Sequence, residues 1–455
     1  MKKLVKTLLS ASLICSLLSP VSILAQDENT VDILTAVSGG KDEEDMAAFV
    51  KELEKITGLT INIEKPANEY DTVLLQKLSN GGEGLDLIYF NQDKLPALVE
   101  QEAILDITEH IKQSDILSDT KVIPQEAWDD ISLDGKIYAG FNKKEIHRLV
   151  NINQALLQKY NVEEVKEETL EGYYNLLKEM KEKVDVDGFY PINMALSSLN
   201  DVQPWFASLG LKTGIVIDEN GKRTVPIVSD EALPVWEWIA KLYQEELLDP
   251  ASLTDTTKEL RSKFQSGQTG LVVDWAAWTG LYNSNAGDEY PDNFEAVAFG
   301  GTKTPDGEYM LHRGAASLWG IPSTSDNVEG AMKVIEAFAT QEGGVLLSLG
   351  SEGYDYEVVD GKYELTEQGK LHAMDHGAPF PIAENFEAPI EKGFGVEEAM
   401  EFLPYATTET YLPESEQYME IVGQGAIKIA SGEVTPEEGL KSMQEELKSA
   451  GIIED

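Results

Sequence analysis

The stretch Val31-Asp32-Ile33-Leu34-Thr35-Ala36-Val37, followed by Ser38-Gly39-Gly40, decides the fold. Polar and apolar residues alternate through it, which is typical of a β-strand that ends at a glycine turn. An amphipathic stretch that stops at Gly58 predicts a helix, and residues 61–63 mark a second strand. After another helical stretch, residues 86–90 form a short buried-type strand. This alternation predicts a parallel sheet with helices on its faces, and therefore an α/β fold.

In such sheets, ligands bind beyond the carboxyl ends of the strands. Those ends are Ser38-Gly39-Gly40 and Tyr89-Phe90-Asn91. We therefore expect a ligand site near these two segments.

The first residues of the chain predict export. Three lysines lie within residues 2–6, and an apolar run covers residues 8–18. Ala25 is a small residue of the kind that precedes a signal-peptide cleavage site. This order is that of a secretory signal peptide, and the apolar run is too short to cross a bilayer. We expect cleavage after Ala25 and a protein that is secreted or associated with the cell surface.

The only cysteine, Cys15, lies inside this predicted signal peptide. A lipidated cysteine usually follows a leucine three places earlier and a small residue one place earlier, but Ser12 and Ile14 stand there. We therefore expect no lipid anchor at Cys15. The mature chain would then have no disulfide, cysteine nucleophile or zinc–thiolate site, and we expect no cofactor.

The net charge of −45 reflects 81 acidic against 36 basic residues. A surface this acidic repels phosphate backbones and anionic lipid headgroups. The composition therefore argues against nucleic acid and membrane surfaces as partners.

The length of 455 residues predicts two lobes, because a single core stops growing at roughly 250–300 residues. Asp134-Gly135 between two short apolar runs predicts a tight hairpin, after which the chain leaves the first lobe. We predict these divisions: signal peptide 1–25, N-terminal lobe 26–143 plus about 303–355, and C-terminal lobe 144–302 plus about 356–455.

Several segments, taken in order, resemble the extracellular solute-binding proteins that serve as capture subunits of ABC importers. The similarity covers nearly the whole mature chain and is closest to the carbohydrate-binding subgroup. The segments that carry it are Asp130–Gly140, Glu246–Pro250 followed by Phe264, Gly267, Gly270 and Trp275, Ile321-Pro322, and Gly350–Tyr363.

The resemblance implies a periplasmic-binding-protein-like fold in which two α/β lobes close on a sugar and deliver it to a membrane permease. It implies a monomeric binding protein and no enzyme. Some relatives carry a calcium loop, but Asp185-Val186-Asp187-Gly188 offers too few oxygen ligands for calcium, so we expect no such site.

A sugar site requires aromatic platforms and planar hydrogen-bonding groups. Trp275 and Trp278 follow a predicted strand end with Asp274 beside them, and are the leading candidates; either could instead belong to a core. The remaining candidate ligand-binding residues are Trp205, Tyr89, Asn91, Asn142, Arg313 and Trp319. Arg313 could hold a carboxylate of an acidic sugar or pair with one of the many acids.

Two other classes of function stay open. His372 and His376 are four residues apart, a spacing that suits two zinc ligands on a helix, but no His-Glu-x-x-His pattern is present and Gly377 ends the helix. The sequence therefore predicts no metal site. A secreted polysaccharide-degrading enzyme, or a cleft binder for a peptide or metal, is the alternative to sugar capture.

Overall fold

The computed structural model describes residues 29–82, 84–284, 294–372 and 376–454. These residues form two α/β lobes, each with a central sheet and its own core of buried apolar side chains. The predicted signal peptide lies outside the described residues. No helix of the described part is long and apolar enough to cross a membrane.

The strands are β1 Thr30–Leu34, β2 Thr60–Glu64, β3 Leu87–Asn91, β4 Ala139–Phe141, β5 Arg148–Asn153, β6 Tyr190–Asn193, β7 Val216–Ile217, β8 Arg223–Thr224, β9 Thr269–Trp275, β10 Ala296–Phe299, β11 Leu311–His312, β12 Ser317–Gly320, β13 Tyr356–Val359, β14 Lys362–Leu365 and β15 Ala406–Thr407.

The α-helices are α1 Glu43–Thr57, α2 Tyr70–Ser79, α3 Leu95–Glu100, α4 Thr108–Gln113, α5 Gln125–Asp130, α6 Gln154–Tyr160, α7 Leu170–Lys183, α8 Gln203–Phe206, α9 Leu233–Gln244, α10 Thr257–Gln265, α11 Ala276–Ser284, α12 Val328–Phe338, α13 Gln341–Ser348, α14 Glu367–Leu371, α15 Val396–Met400, α16 Ser415–Ser431 and α17 Pro436–Ser449.

The first sheet has the strand order β2-β1-β3-β12-β4. Strand β1 pairs in parallel with β2 and β3, which confirms the predicted parallel arrangement. Helix α1 ends at Gly58 in the left-handed conformation, as expected. Strand β12 enters antiparallel between β3 and β4 and brings the chain back to this sheet.

The second sheet has the order β10-β5-β9-β6. Its central strand β9 pairs antiparallel with β5 and parallel with β6. Every residue of β9 is buried except its last, Trp275. The strand therefore ends at the boundary between the core and the surface of the second lobe.

Short segments connect the two lobes. Residues 142–147 join β4 to β5, and residues 313–316 join β11 to β12. The hairpin before β4 is confirmed, with φ of 51° at Asp134 and 74° at Gly135. Two successive positive φ values match a type I′ turn, which aspartate and glycine tolerate well.

The last part of the chain contributes side chains to the cores of both lobes. Ala378 and Ile382 are buried in the first core. Val422 of α16 and Leu447 of α17 lie in the second core, where α16 packs against α9 and α17. The final crossing between the lobes therefore lies between Ile382 and α16.

Candidate functional site

A cavity of about 320 Å³ lies between the two lobes. The first lobe contributes Tyr89 and Asn91 from the end of β3, and the second contributes Trp275 and Trp278. The crossover residues 143–146 complete the wall between them. The other lining residues are Asp93, Asn200, Ala277, Leu281, His312, Ala315, Ser317, Pro379, Phe380, Glu409, Tyr411 and Met419. We call this cavity the cleft.

The two tryptophans lie at the junction of β9 and α11. Trp275 is the last residue of the strand, and Trp278 lies in the first turn of the helix. Both are partly exposed at the cleft, whereas Ala276 between them is fully buried. The strand-to-helix junction therefore turns two indole rings toward the same space.

Asp274 does not line the cleft, because its side chain is fully buried. Its Oδ2 lies 2.7 Å from Nε of Arg261, and its Oδ1 lies 2.8 Å from Nη2 of the same residue. The Arg261 guanidinium lies 3.7 Å from the ring centroid of Trp278, close enough for a cation–π contact. Asp274 thus positions Trp278 through an arginine.

A second arginine links Asp274 to the other tryptophan. Arg148 Nη1 lies 3.6 Å from Asp274 Oδ1, and its guanidinium lies 4.9 Å from the ring centroid of Trp275. Arg148 also forms a buried ion pair with Asp201. One face of each indole is therefore covered by an arginine held in a buried charge network.

The network keeps Asp274 ionised. Burial alone would raise the pKa of Asp274, but Arg261 and Arg148 outweigh it, so the pKa is lowered. Tyr282 donates a 2.7 Å hydrogen bond to Asp274 Oδ2. Arg261, Tyr282 and the Trp275 amide therefore all donate hydrogen bonds to this carboxylate and fix its position.

Trp275 also contacts the second crossover closely. A Cβ atom at Gly314 would lie 2.4 Å from Cη2 of the Trp275 ring. Only glycine therefore leaves the indole in its present place against residues 313–316.

The wall that the first lobe contributes to the cleft is formed by the polar end of β3. The Tyr89 hydroxyl donates to Asn91 Oδ1 at 2.9 Å and lies 3.1 Å from Ser317 Oγ. Burial raises the pKa of Tyr89, so its hydroxyl stays neutral. Burial also raises the pKa of Asp93, although Lys94 opposes it.

Charged groups from the crossover and the second lobe complete the wall. Glu145 accepts a 3.2 Å hydrogen bond from the Ser317 amide, which ties the first crossover to β12. Glu409 lies 3.4 Å from His312 Nδ1. Burial would raise the pKa of Glu409, but His312 outweighs burial and lowers it.

Two predicted tryptophans lie in the cores. Trp205 is fully buried, donates to Met194 Sδ and packs against Tyr173 and Trp238. Trp319, 1% exposed, packs in the first core because β12 lies between two other strands. The structure therefore brings neither residue to the cleft surface.

Asn142 and Arg313 also lie away from the cleft surface. Asn142 is buried, accepts hydrogen bonds from Ser38 Oγ and Trp319 Nε1, and donates to the Gly377 carbonyl. Arg313 lies outside the lining, with Nη1 3.9 Å from Asp130 Oδ2. Asn142 therefore fastens the first crossover, and Arg313 forms a surface ion pair.

Sequence reasoning missed several lining residues. Lys143 and Glu145 lie within the predicted crossover, so their position in the chain was a usable signal. Glu409 and Tyr411 follow the short strand β15, more than 300 residues after Tyr89, and no local pattern marks them.

Sequence comparison finds a distant relative in Niallia circulans, an uncharacterized protein in the butB 5′ region. It is 22% identical over 170 residues, which are 37% of this chain. The match spans 60% of the length of that relative.

Two solved structures share the fold. An ABC substrate-binding protein of Listeria monocytogenes, Lmo0181, in complex with cycloalternan, has a TM-score of 0.68 at 18% identity over 93% of this chain and 100% of its own. The alginate-binding protein AlgQ2, solved without calcium ion, has a TM-score of 0.69 at 18% identity over 93% of this chain and 95% of its own.

The two lobes and the cleft between them agree with a family assignment made from sequence. A family model described as bacterial extracellular solute-binding protein matches residues 48–347, more than half of the chain. The chain therefore belongs to the bacterial extracellular solute-binding proteins.

Proposed function

We propose that the protein captures an oligosaccharide in the cleft and delivers it to an ABC permease. The proposal depends on one observation: Trp275 and Trp278 of one lobe line the same cleft as Tyr89 and Asn91 of the other. Sugars offer flat C–H faces to aromatic rings and hydroxyls to planar polar groups. The cleft supplies both kinds of group from opposite lobes.

The proposed mechanism is hinge closure without bond making or breaking. A ligand that contacts both lobes favours arrangements in which the lobes are close, and so shifts the population toward them. Lys94 Nζ lies 3.3 Å from Glu416 Oε1 of α16, which shows that side chains of the two lobes can meet beside the cleft.

We propose a neutral sugar as the ligand. The cleft is lined by the acids Asp93, Glu145 and Glu409 and by two lysines, Lys143 and Lys144, and the net charge of the chain is −45. Arg313, the candidate for holding a carboxylate, does not line the cleft. The binding of cycloalternan by one structural neighbour and of alginate by the other supports the carbohydrate class.

We further propose export with cleavage after Ala25, no lipid on Cys15, and a monomer that docks on its permease. N-terminal sequencing of protein from the culture medium should begin at Gln26. A lipid-modified Cys15 would contradict the soluble form.

A thermal-shift screen tests the function. Neutral oligosaccharides should raise the melting temperature of the parent, since a ligand at 100 times its dissociation constant adds about 2.7 kcal/mol. The Trp275→Ala/Trp278→Ala variant should melt normally without ligand and lose the shift. Mass spectrometry should recover the sugar intact.

A failure of the whole panel to shift the parent would contradict carbohydrate capture. Preferential binding of uronate-containing oligosaccharides would overturn only the proposal that the sugar is neutral, and carbohydrate capture would stand. A cleaved sugar would favour the hydrolase alternative.

A further inference from the structure

We propose that Asp45, Asp355, His372 and His376 form a closed site for a divalent transition-metal ion of the zinc type. The site belongs to the first lobe and lies apart from the cleft. Its role is to fasten a late segment of the chain to helix α1. The inference is independent of the ligand that the cleft takes.

The four side chains come from distant parts of the sequence. Asp45 lies in the first turn of α1, Asp355 just before β13, and His372 directly after α14. All four residues are buried, and one potential ligand atom of each lies within 4.8 Å of all the others. Their convergence is a product of the fold, because Asp45 and His376 are 331 residues apart.

The distances resemble the edges of a coordination tetrahedron. His376 Nε2 lies 3.2 Å from Asp45 Oδ1 and 3.4 Å from Asp355 Oδ1. His372 Nδ1 lies 3.6 Å from Asp45 Oδ2 and 2.6 Å from Asp355 Oδ1. Zinc bonds of about 2.0–2.1 Å place tetrahedral ligands about 3.3–3.4 Å apart. The two distances from His376 are near that length, the His372–Asp45 distance runs to the other oxygen of Asp45, and the His372–Asp355 distance is a hydrogen-bond length.

The donor set favours zinc over calcium or magnesium. Imidazole nitrogens suit zinc, whereas calcium takes six to eight oxygens. Two carboxylates carry a charge of −2, which one dication balances when both imidazoles are neutral. Four protein ligands leave no position open, which is the arrangement of structural zinc sites.

The carboxylates are also held from outside the cluster. The Lys41 amide donates to Asp45 Oδ2 at 2.6 Å, and the Ser351 amide donates to Asp355 Oδ2 at 2.8 Å. Such outer hydrogen bonds fix ligand orientation in metal sites. Oδ1 of Asp355 then faces both histidines, and Oδ1 of Asp45 faces His376.

Protonation of a histidine is the alternative way to balance the charge of the two carboxylates. Burial lowers the pKa of His376, but Asp355 and Asp45 outweigh burial and raise it to about 9. A charged His376 would offset part of the carboxylate charge without a metal. Hydrogen bonds from an imidazolium to a carboxylate are usually 2.7–2.9 Å long. His372 Nδ1 makes one short contact of this kind, 2.6 Å from Asp355 Oδ1, whereas His376 Nε2 faces two carboxylate oxygens at 3.2 and 3.4 Å, neither at that length.

The site connects to the first crossover through the segment that follows His376. The Gly39 amide donates to the His376 carbonyl at 3.3 Å, and Asn142 donates to the Gly377 carbonyl at 2.9 Å. The Lys144 amide donates to the carbonyl of Phe380, which lines the cleft. A metal at this site would therefore hold the segment that supports one wall of the cleft.

The test begins with the full mature chain, stripped of metal with a chelator and titrated with Zn²⁺ alone. We expect about one tightly held ion per chain and a higher melting temperature, because metal binding to the folded state stabilises it. Mg²⁺ at the same concentration should leave the melting temperature unchanged. X-ray absorption of the one-to-one complex should show two imidazoles among about four ligands.

Variants assign the binding to these residues. His372→Gln/His376→Gln should lose the tightly held ion and the zinc-dependent rise in melting temperature, and Asp45→Asn should weaken binding at least tenfold. His110→Gln, on the half-exposed face of α4, is the matched control and should bind like the parent.

Two outcomes would overturn the proposal. A parent that takes up no zinc would show that protons alone balance the cluster. Zinc bound without imidazole ligands, or bound equally by the double variant, would place the ion on surface acids. Since the spectrum is taken on the parent, the test holds even if a variant fails to fold.

Discussion

Asp274 and Arg261 form a two-point ion pair at the end of β9, with 2.7 Å from Oδ2 to Nε and 2.8 Å from Oδ1 to Nη2. The planar guanidinium that makes this pair also lies over the ring of Trp278. A bidentate pair fixes the plane of an arginine as well as its position. Asp274 therefore fixes the position of Trp278 in the cleft wall, although Asp274 does not itself line the cleft.

Asp274→Asn should destabilise the protein strongly, because it removes the carboxylate that pairs with Arg261 and leaves Arg148 with Asp201 as its remaining acidic partner. Removing one partner of a buried ion pair typically costs about 3–5 kcal/mol, which urea denaturation can measure. Asp134→Asn, the same change at an exposed hairpin residue, should alter the free energy of unfolding by less than about 0.5 kcal/mol. Equal stability of the two variants would show that Asp274 is not the anchor of the network.

Trp278→Ala and Trp275→Ala should weaken oligosaccharide binding while the fold is kept, since both rings are partly exposed. Loss of an aromatic anchor often costs about 2 kcal/mol, or about thirtyfold in dissociation constant by calorimetry. Trp205→Ala should instead destabilise the second lobe by about 3–5 kcal/mol, because its ring is in the core. Parent-like binding by both cleft variants would refute the assignment.

Gly314→Ala should displace the indole of Trp275, because the new methyl would lie 2.4 Å from the ring. The tip of a side chain can move at little cost, so we expect nearly unchanged stability with weaker ligand binding. Gly307→Ala is not a suitable control, because its φ of 87° would add strain. Ala277→Gly, at another lining position, should change the dissociation constant less than Gly314→Ala does. A larger change for Ala277→Gly would count against the proposed contact between Gly314 and Trp275.

Glu416→Gln should weaken ligand binding only slightly. The Lys94–Glu416 pair joins the two lobes at 3.3 Å, but Glu416 is largely exposed, and such pairs contribute about 1 kcal/mol or less. We expect a dissociation constant at most about fivefold higher at low salt, and a smaller difference at high salt. Glu109→Gln, which breaks a pair within α4, should have no effect on binding. A salt-independent loss would point to a direct ligand contact instead.

His147 should make the protein acid-sensitive between pH 6.5 and about 4. Burial of the imidazole, whose two ring nitrogens have no hydrogen-bond partner among the described residues, lowers the pKa of His147 from 6.5 to about 4. In this range the unfolded chain binds a proton that the folded chain excludes, so stability falls as the pH falls. The full loss would be about 3 kcal/mol below pH 4, and none is expected above pH 6.5.

Urea denaturation across this range should therefore show a shallower decline for His147→Phe than for the parent. The carboxylates titrate in both proteins, so the difference between the two curves isolates the histidine. His110→Gln provides the control at a half-exposed histidine. Parallel curves for His147→Phe and the parent would show that His147 does not carry the effect.

Local elements could be predicted from the sequence. The alternation in residues 31–37 and the helix stop at Gly58 specify β1 and α1, and Asp134-Gly135 specifies the hairpin, because each follows from neighbouring residues. Strand-end position also predicts Tyr89, Asn91, Trp275 and Trp278 as site residues, and all four line the cleft.

The packing of the lobes settles which candidates line the cleft and which lie in a core. Trp205 and Trp275 are both sequence candidates, yet Trp205 is enclosed by Tyr173 and Trp238, whereas Trp275 lies at the exposed end of β9. The sequence also places the last crossing near residue 356, whereas Ala378 and Ile382 pack in the first core. The contact of Asp45 with His376, and the presence of Tyr89 and Tyr411 in one cleft wall, depend on chain segments hundreds of residues apart. Local periodicity carries no information about such arrangements, because they are fixed by tertiary packing within and between the lobes.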